Sequence, residues 1–356
     1  MSLSKVHPVV RAIDVGYGHV KYVTRHDMGT GKIQCEGFPS RSPRAQGGDL
    51  SSGVMSKMDT VTVAVNGRTY EVGKSVISAA GANDASEILS RDFATSDAYM
   101  ARLYGALSYM HPHLGGNKID WLILGLPNLT LNTMSGPLLE RVRGEHTINT
   151  SGVKIEIENV RIFPQPLGAF FDYGFRSDKL ADLRNRVNLI VDPGYNTFDW
   201  LLSEGLAPSA ARSGSVELGM SAVVRAIAEE ILRDNKMEAD ANLNRVVNRL
   251  DYALCNNEEY RLFGKEIDLK KYMSAGDTVV DQAINALEKS VGAGDDIDNI
   301  FIAGGGAPIY HKALQARYPR HQVIQISEPQ FANVRGFQVV GTNWAHSANR
   351  AVVAHA

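Results

Sequence analysis

Two apolar runs, Val9 to Ile13 and Val187 to Val191, each end in an aspartate and a glycine-bearing turn and resume as a second apolar run. The first unit reads Asp14-Val15-Gly16-Tyr17-Gly18 and then His19 to Arg25; the second reads Asp192-Pro193-Gly194-Tyr195-Asn196-Thr197 and then Phe198 to Glu204. Short apolar runs closed by turn residues predict buried strands, so the pattern is strand–Asp–Gly turn–strand, repeated half a chain apart. Either turn alone reads as an ordinary hairpin. Matching flanks set the pair apart. Glycine is expected to give these turns positive φ and let backbone N–H groups approach a ligand. A concave row of N–H groups suits a phosphate, and an aspartate at the strand end suits a hydrated Mg²⁺ beside it.

The rest of the pattern alternates between strands and helices. Gly29 to Lys57, rich in Gly, Ser, Pro and Arg, is expected to be loop. Thr60 to Val72 alternates about Asn66-Gly67 and predicts a hairpin. Asp97 to Tyr109 has helical spacing, Trp121 to Leu126 reads as a buried strand stopped by Pro127, and Thr130 to Arg143 as helix. Val153 to Phe163 alternates like one or two strands, followed by a helix over Leu167 to Phe175. In the second half, Ser221 to Arg233 predicts an amphipathic helix capped by Ser221, residues 234–275 are polar and partly helical, and Thr278 to Val291 is a further helix. Ile297 to Ala303 predicts a strand running into Gly304-Gly305-Gly306, then a helix over Tyr310 to Tyr318, a short strand over Val323 to Ile326 and a last helix over Phe331 to Trp344. Strands alternating with helices in both halves predict α/β architecture.

Composition narrows the class. With 356 residues, 44% hydrophobic and 21% charged, the chain has room for two globular domains. A net charge of −2 offers no electrostatic case for direct nucleic-acid contact or an acidic membrane. The two cysteines, Cys35 and Cys255, lie in no metal-ligand spacing, which fits a reduced compartment. No basic apolar leader and no bilayer-length apolar run is present, so a cytoplasmic protein without a membrane partner is expected.

Three further signals bear on chemistry. The Gly304 to Gly306 turn lies between a strand and a helix, where a ligand's phosphate or sugar can approach unhindered by Cβ; close packing explains it equally well. Neither the G-x-G-x-x-G spacing nor G-x-x-x-x-G-K-[ST] occurs, which excludes a Rossmann dinucleotide site and a P-loop. Gln165, held between Pro164 and Pro166, reads alone as a turn residue or as an amide that orients water toward a γ-phosphate. His111-Pro112-His113 and Asp295-Asp296 with Asp298 read as solvent loops rather than metal sites.

The order Asp-Gly hairpin, glutamine at a strand–helix junction, second Asp-Gly hairpin, strand-GGG-helix resembles the superfamily of actin, the heat-shock chaperone ATPases and the sugar kinases. Gln165 to Gly174, followed by Val187 to Gly194, is similar to the matching stretch of actin. Gly37-Phe38-Pro39-Ser40, the Gly214 to Gly219 segment and the Phe331 to Gly336 run resemble the bacterial plasmid-segregation branch, the ParM/StbA-like actins. One departure is that this branch often carries an acidic residue where Gln165 stands.

The resemblance implies a two-domain actin-like ATPase fold of duplicated RNase H-like domains around a nucleotide cleft. Domain I would span 1–183 plus 335–356, with an inserted subdomain over about 30–95, and domain II 184–334. It implies ATP and ADP as ligands, with Gly16, Tyr17, Gly18 and His19 and with Gly194, Tyr195, Asn196 and Thr197 at the phosphates. Lys21 would add a phosphate contact, and Gly304, Gly305 and Gly306 would line the adenosine. Asp14 and Asp192 would hold Mg²⁺, and Gln165 would align water. It further implies slow hydrolysis coupled to self-assembly into a filament, and plasmid segregation through a DNA-binding adaptor. A non-polymerising ATPase, a small-molecule kinase using Asp172, or a reactivase of the same fold stays open, as does ATP against GTP.

Overall fold

The computed structural model describes residues 7–45, 59–76, 92–256 and 258–354, and of 239–241, 255–256 and 348–354 only the backbone. The chain divides into two compact units, one of residues up to 184 together with 326 onward, the other essentially 185–325.

The first unit is built on six strands: β1 (Val10–Val15), β2 (His19–His26), β3 (Ile33–Pro39), β6 (Lys118–Leu126), β7 (Gly144–Thr147) and β8 (Lys154–Pro164), ordered β3-β2-β1-β6-β8-β7. A separate hairpin, β4 (Val61–Val65) and β5 (Arg68–Val72), turns at Asn66-Gly67 as its alternation predicts. β1 pairs antiparallel with β2 and parallel with β6, which pairs parallel with β8. Successive side chains of a strand point to opposite faces. Ile13 and Val15 accordingly join a core that includes helix α1 (Asp97–Met110), through residues such as Met100, Leu103 and Leu107. Val10 and Ala12 face the other way and pack with Val334, Phe337 and Ala345 of the C-terminal helix. Asp14 continues that second face. Fully burying an Ile, Leu or Phe stabilises by about 1.5–3 kcal/mol, so two continuous apolar layers pin the strand register and with it the position of Asp14.

Among the described residues up to 184, two more helices follow, α2 (Asn128–Val142) and α3 (Gln165–Arg176), and then a single turn at Leu180–Leu183. β3 lies within the stretch expected to be loop. Its sequence, IQCEGFP, is bordered by Gly, Ser and Pro and buries only Phe38 fully, so the local signal is weak, while pairing along the whole of β2 makes it a strand. Of the insertion expected over 30–95, residues 46–58 and 77–91 lie outside the described residues.

The second unit repeats the arrangement. β9 (Val187–Pro193) pairs antiparallel with β10 (Phe198–Glu204) and parallel with β15 (Asn299–Ile302), which pairs parallel with β16 (Val323–Gln325). The short β11 (Ala207–Pro208) and β12 (Gly214–Val216) both pair with β10. Leu189, Val191, Phe198, Trp200 and Leu202 form one face, packed on α4 (Met220–Asp234), α5 (Ala239–Asn256), α6 (Met273–Val291) and α7 (Ala307–Arg317). The polar stretch 234–275 contains, besides α5, a small hairpin of β13 (Arg261–Leu262) and β14 (Lys265–Glu266). The last helix, α8 (Ala332–Ala354), belongs to the first unit and packs on β1, β6 and α3. No helix among the described residues is long and apolar enough to cross a membrane.

Candidate functional site

The two aspartate hairpins take the same form at the same place in their sheets. In the first, Asp14 stands opposite Lys21 in the ladder and the Gly16 N–H donates to the His19 carbonyl at 3.2 Å. In the second, Asp192 stands opposite Asp199 and the Gly194 N–H donates to the Thr197 carbonyl at 2.8 Å. Both spacings from aspartate to closing carbonyl are equal, so the turns are equivalent residue by residue. The glycines act differently from the sequence expectation. Neither Gly16 nor Gly194 has positive φ. Instead a Cβ on Gly16 would stand 3.0 Å from the His19 carbonyl oxygen, and one on Gly194 3.2 Å from that of Thr197. Close approach of the turn's own carbonyl, rather than handedness, is what favours glycine there.

The loops are held by bonds that aim their amides. In the second hairpin the carbonyls of Gly194, Tyr195 and Asn196 accept from the N–H groups of Met220 (3.0 Å), Ser221 (2.7 Å) and Gly219 (3.1 Å). These are orphan donors at the start of α4, which therefore begins on the hairpin backbone. The expected Ser221 cap is not formed; Gly219 takes the cap position, without a side-chain bond. In a trans peptide the N–H points opposite to the preceding C=O. With three consecutive carbonyls turned to α4, the N–H groups of Tyr195, Asn196 and Thr197 aim away from it together. In the first hairpin Ser40 does the same work: its Oγ donates to the Gly16 carbonyl at 2.6 Å and its N–H to the Gly18 carbonyl at 2.8 Å. The N–H groups of Tyr17 and His19 thus aim away from Ser40. Sequence reading used the Gly37 to Ser40 run only for its resemblance to the ParM/StbA-like actins; Ser40 directly follows the end of β3 at Pro39.

Side chains converge on Asp14, which is buried. The Gln165 Nε2 donates to Asp14 Oδ1 at 2.7 Å, and Lys21 Nζ lies 3.4 Å from Oδ2. Gln165 gets there because β8 ends at Pro164 and α3 begins at Gln165, on the sheet face that carries Asp14. Its amide nitrogen is engaged, which leaves Oε1 as an acceptor. Lys21 follows from strand register alone. Crowding of the His19 ring by neighbouring groups, then the charges of Lys21 and Arg41, push its pKa down to about 4, although the residue as a whole is solvent-exposed. Arg41 is a second cation that sequence reading missed, set past the hairpin tip because β3 runs alongside β2 with Pro39 opposite His19.

In the second unit the triple glycine packs on the Asp192 hairpin. Gly304 has φ +77°, and a Cβ there would overlap Asp192 Oδ1 and stand 2.8 Å from the Pro193 carbonyl oxygen. The Gly306 N–H donates to that same carbonyl at 2.9 Å. Gly305 differs: it is exposed and a Cβ would meet nothing. α7 starts at Ala307, three residues before the expected start, because Pro308 suits a first turn.

Other candidates resolve as structural. Asp172 is buried and bonded to Arg335, with Nε–Oδ1 at 3.0 Å and Nη2–Oδ2 at 2.8 Å. Burial pushes its carboxyl up, opposed by Arg335 and Arg176. His111 Nε2 meets Asn117 Oδ1 at 2.8 Å; Asp296 pairs with Arg212, and Asp298 accepts the Val187 N–H at 2.8 Å. No group of three metal-ligating side chains occurs among the described residues.

Comparison with known proteins places both units. Residues 12–168 match the family described as actin like proteins N terminal domain, and 190–316 that described as archaeal actin homologue MreB-like, C-terminal. No curated protein matches. The fold is similar to a 15-stranded ParM filament from Clostridium botulinum, with 20% identity, TM-score 0.72 and coverage of 95% of this chain and 100% of that one. It is similar to Ta0583, an archaeal actin homologue, in complex with ADP (18% identity, TM-score 0.69, 94% and 99% covered). It is also similar to apo pSK41 ParM (18% identity, TM-score 0.66, 96% and 99% covered). At such identities the likeness speaks of fold.

Proposed function

We propose that this chain, an actin-like protein by its N-terminal and its C-terminal domain alike, is a nucleotide switch that binds and slowly hydrolyses ATP and assembles into filaments. The observation that carries the reading is the pair of equivalent hairpins, each with a buried aspartate, a glycine closed by its own turn carbonyl, and a loop whose N–H groups are turned outward together. Such rows of amides bind anionic oxygens without reorganising. Gly16 to His19 and Gly194 to Thr197 hold the β- and γ-phosphates, with Lys21 adding a charge, and Gly305 lies against the adenosine.

Asp14 and Asp192 fit a Mg²⁺ held largely through waters, since each hairpin offers one buried carboxylate and no three-ligand cluster exists among the described residues. When bound, Mg²⁺ would neutralise charge on the phosphates. The Gln165 amide, fixed by its bond to Asp14, presents Oε1 to a water in line with the γ-phosphorus. That water's oxygen bonds to phosphorus as the bond to the β–γ bridging oxygen breaks, one water proton passes to a phosphate oxygen, and ADP and phosphate leave. A kinase reading through Asp172 lacks support, because that carboxylate is buried against Arg335.

Filament formation is supported by the similarity to a ParM filament. We read the filament as a cytoplasmic one that segregates plasmid copies through a DNA-binding adaptor rather than by touching DNA itself. Light scattering with parallel phosphate release, on adding Mg-ATP, Mg-GTP or a non-hydrolysable analogue, tests the switch. Scattering that the analogue sustains and that decays as phosphate appears is the expected result. Phosphate release without scattering at high protein concentration would leave a monomeric ATPase.

A further inference from the structure

The face of α3 that begins with Gln165 continues through Gly168, Asp172 and Arg176, at spacings of three, four and four residues, which keeps one stripe of a helix. This stripe lies on α8. A Cβ on Gly168 would stand 2.7 Å from Phe337 and 2.8 Å from the Asn333 Cα, and one on Gly336 2.9 Å from the Gly168 Cα. The two backbones therefore touch at a glycine-on-glycine crossing. At the glycine pair itself no side chain interlocks, and Phe337 is seated in the gap beside Gly168. One turn further on, Asp172 and Arg335 meet in a two-bond, fully buried pair. Arg335 also donates to the Ser327 carbonyl at 2.7 Å and reaches the Glu328 carboxylate at 3.3 Å, and Arg176 approaches the Ser327 carbonyl at 3.5 Å. Glu328 itself holds a left-handed conformation, φ 48°.

A buried ion pair adds little net stability compared with apolar residues of the same volume, and its best-attested use is to fix register. Here the register in question sets where Gln165 stands. We propose that Asp172 and Arg335 are positioning residues: their pair locks α3 on α8 so that the Gln165 amide meets Asp14, and ties that setting to the Ser327–Glu328 segment. Seven residues separate Asp172 from Gln165, about 10 Å along the helix. A slip of α3 by about 1 Å that the Gln165 side chain does not follow stretches the 2.7 Å Gln165–Asp14 bond beyond hydrogen-bond length. The pair touches no reacting atom, and its effect on hydrolysis rests on the function proposed above.

The double variant Asp172→Leu/Arg335→Met separates positioning from folding, since apolar replacement of a buried pair commonly preserves stability. Its melting temperature, its affinity for a fluorescent non-hydrolysable ATP analogue and its single-turnover phosphate release are compared with the parent. Melting within a few degrees, affinity within about threefold and release slowed at least about tenfold are expected. An unchanged release rate in the folded variant overturns the proposal. A second readout needs no nucleotide: in selectively ¹⁵N-glutamine-labelled protein, the Gln165 side-chain amide is expected to move to the solvent-exposed position in Asp172→Asn and Arg335→Lys. An unmoved resonance overturns the proposal, whether or not the double variant folds. Absence of hydrolysis in the parent protein would instead refute the function while this resonance still decides the register.

Discussion

Substituting alanine at each of two adjacent glycines separates what the triple-glycine turn does for folding from what it does for a ligand. At Gly304, φ is +77° and the new Cβ would overlap Asp192 Oδ1 and crowd the Pro193 carbonyl at 2.8 Å. A left-handed alanine costs about 1–2 kcal/mol and overpacking about 1–3 kcal/mol more, so Gly304→Ala is expected to destabilise by about 2–5 kcal/mol. For a chain of 356 residues that lowers the melting temperature by about 3–7 °C, read from circular dichroism. At Gly305 the backbone lies outside the positive-φ region, the residue is exposed and no atom stands within 4 Å. Gly305→Ala is expected to melt within a degree or two of the parent. If the adenosine lies against that open backbone, the added methyl weakens binding of a fluorescent ATP analogue by about 1–3 kcal/mol, roughly five- to 150-fold. A Gly304→Ala protein as stable as the parent refutes the packing argument. A Gly305→Ala protein that binds nucleotide as tightly as the parent refutes the ligand-facing role of the turn.

Other expectations follow from the same geometry. Gln165→Ala should slow single-turnover phosphate release about a hundredfold while leaving nucleotide affinity within about threefold, because the amide is assigned to water and not to the phosphates; equal losses in both would remove that assignment. His19, with a folded pKa of about 4 against 6.5 unfolded, binds fewer protons folded than unfolded between those values. Stability from this group is complete above about pH 6.5 and lost as pH falls toward 4, which acid titration of the melting temperature of His19→Gln against the parent will show. Binding of ATP should raise the His19 pKa, followed by NMR, as phosphate charge offsets Lys21 and Arg41; a fall would place the phosphates elsewhere. Phe263 occupies a hairpin turn at φ 50° with 78% of its surface exposed, where the two-residue turn between β4 and β5 uses Asn66 at φ 49°. Phe263→Asn should therefore stabilise by about 1 kcal/mol in denaturant unfolding.

Period and punctuation in the sequence alone determined the repeated strand–Asp–turn–strand unit, the helices of strong amphipathic spacing, and the α/β class. These depend on contacts a few residues apart, for which side-chain order along the chain is sufficient. Asp14, Gly16, Asp192, Gly194 and the triple glycine were legible for that reason. Only tertiary structure decided that β3 is a strand, since its partner β2 supplies what its own weak pattern does not. It alone decided that α4 starts on hairpin carbonyls rather than on Ser221, and that Gly304 is filled space while Gly305 is open. Gln165 could be flagged between its prolines, but its bond to Asp14 joins residues 151 positions apart. Asp172 could as well have been a base as a buried partner until Arg335, 163 residues away, was seen beside it. Where a role depends on which distant backbone or charge stands opposite, no local pattern encodes it, because the register that brings the two together is fixed by the packing of both sheet faces at once.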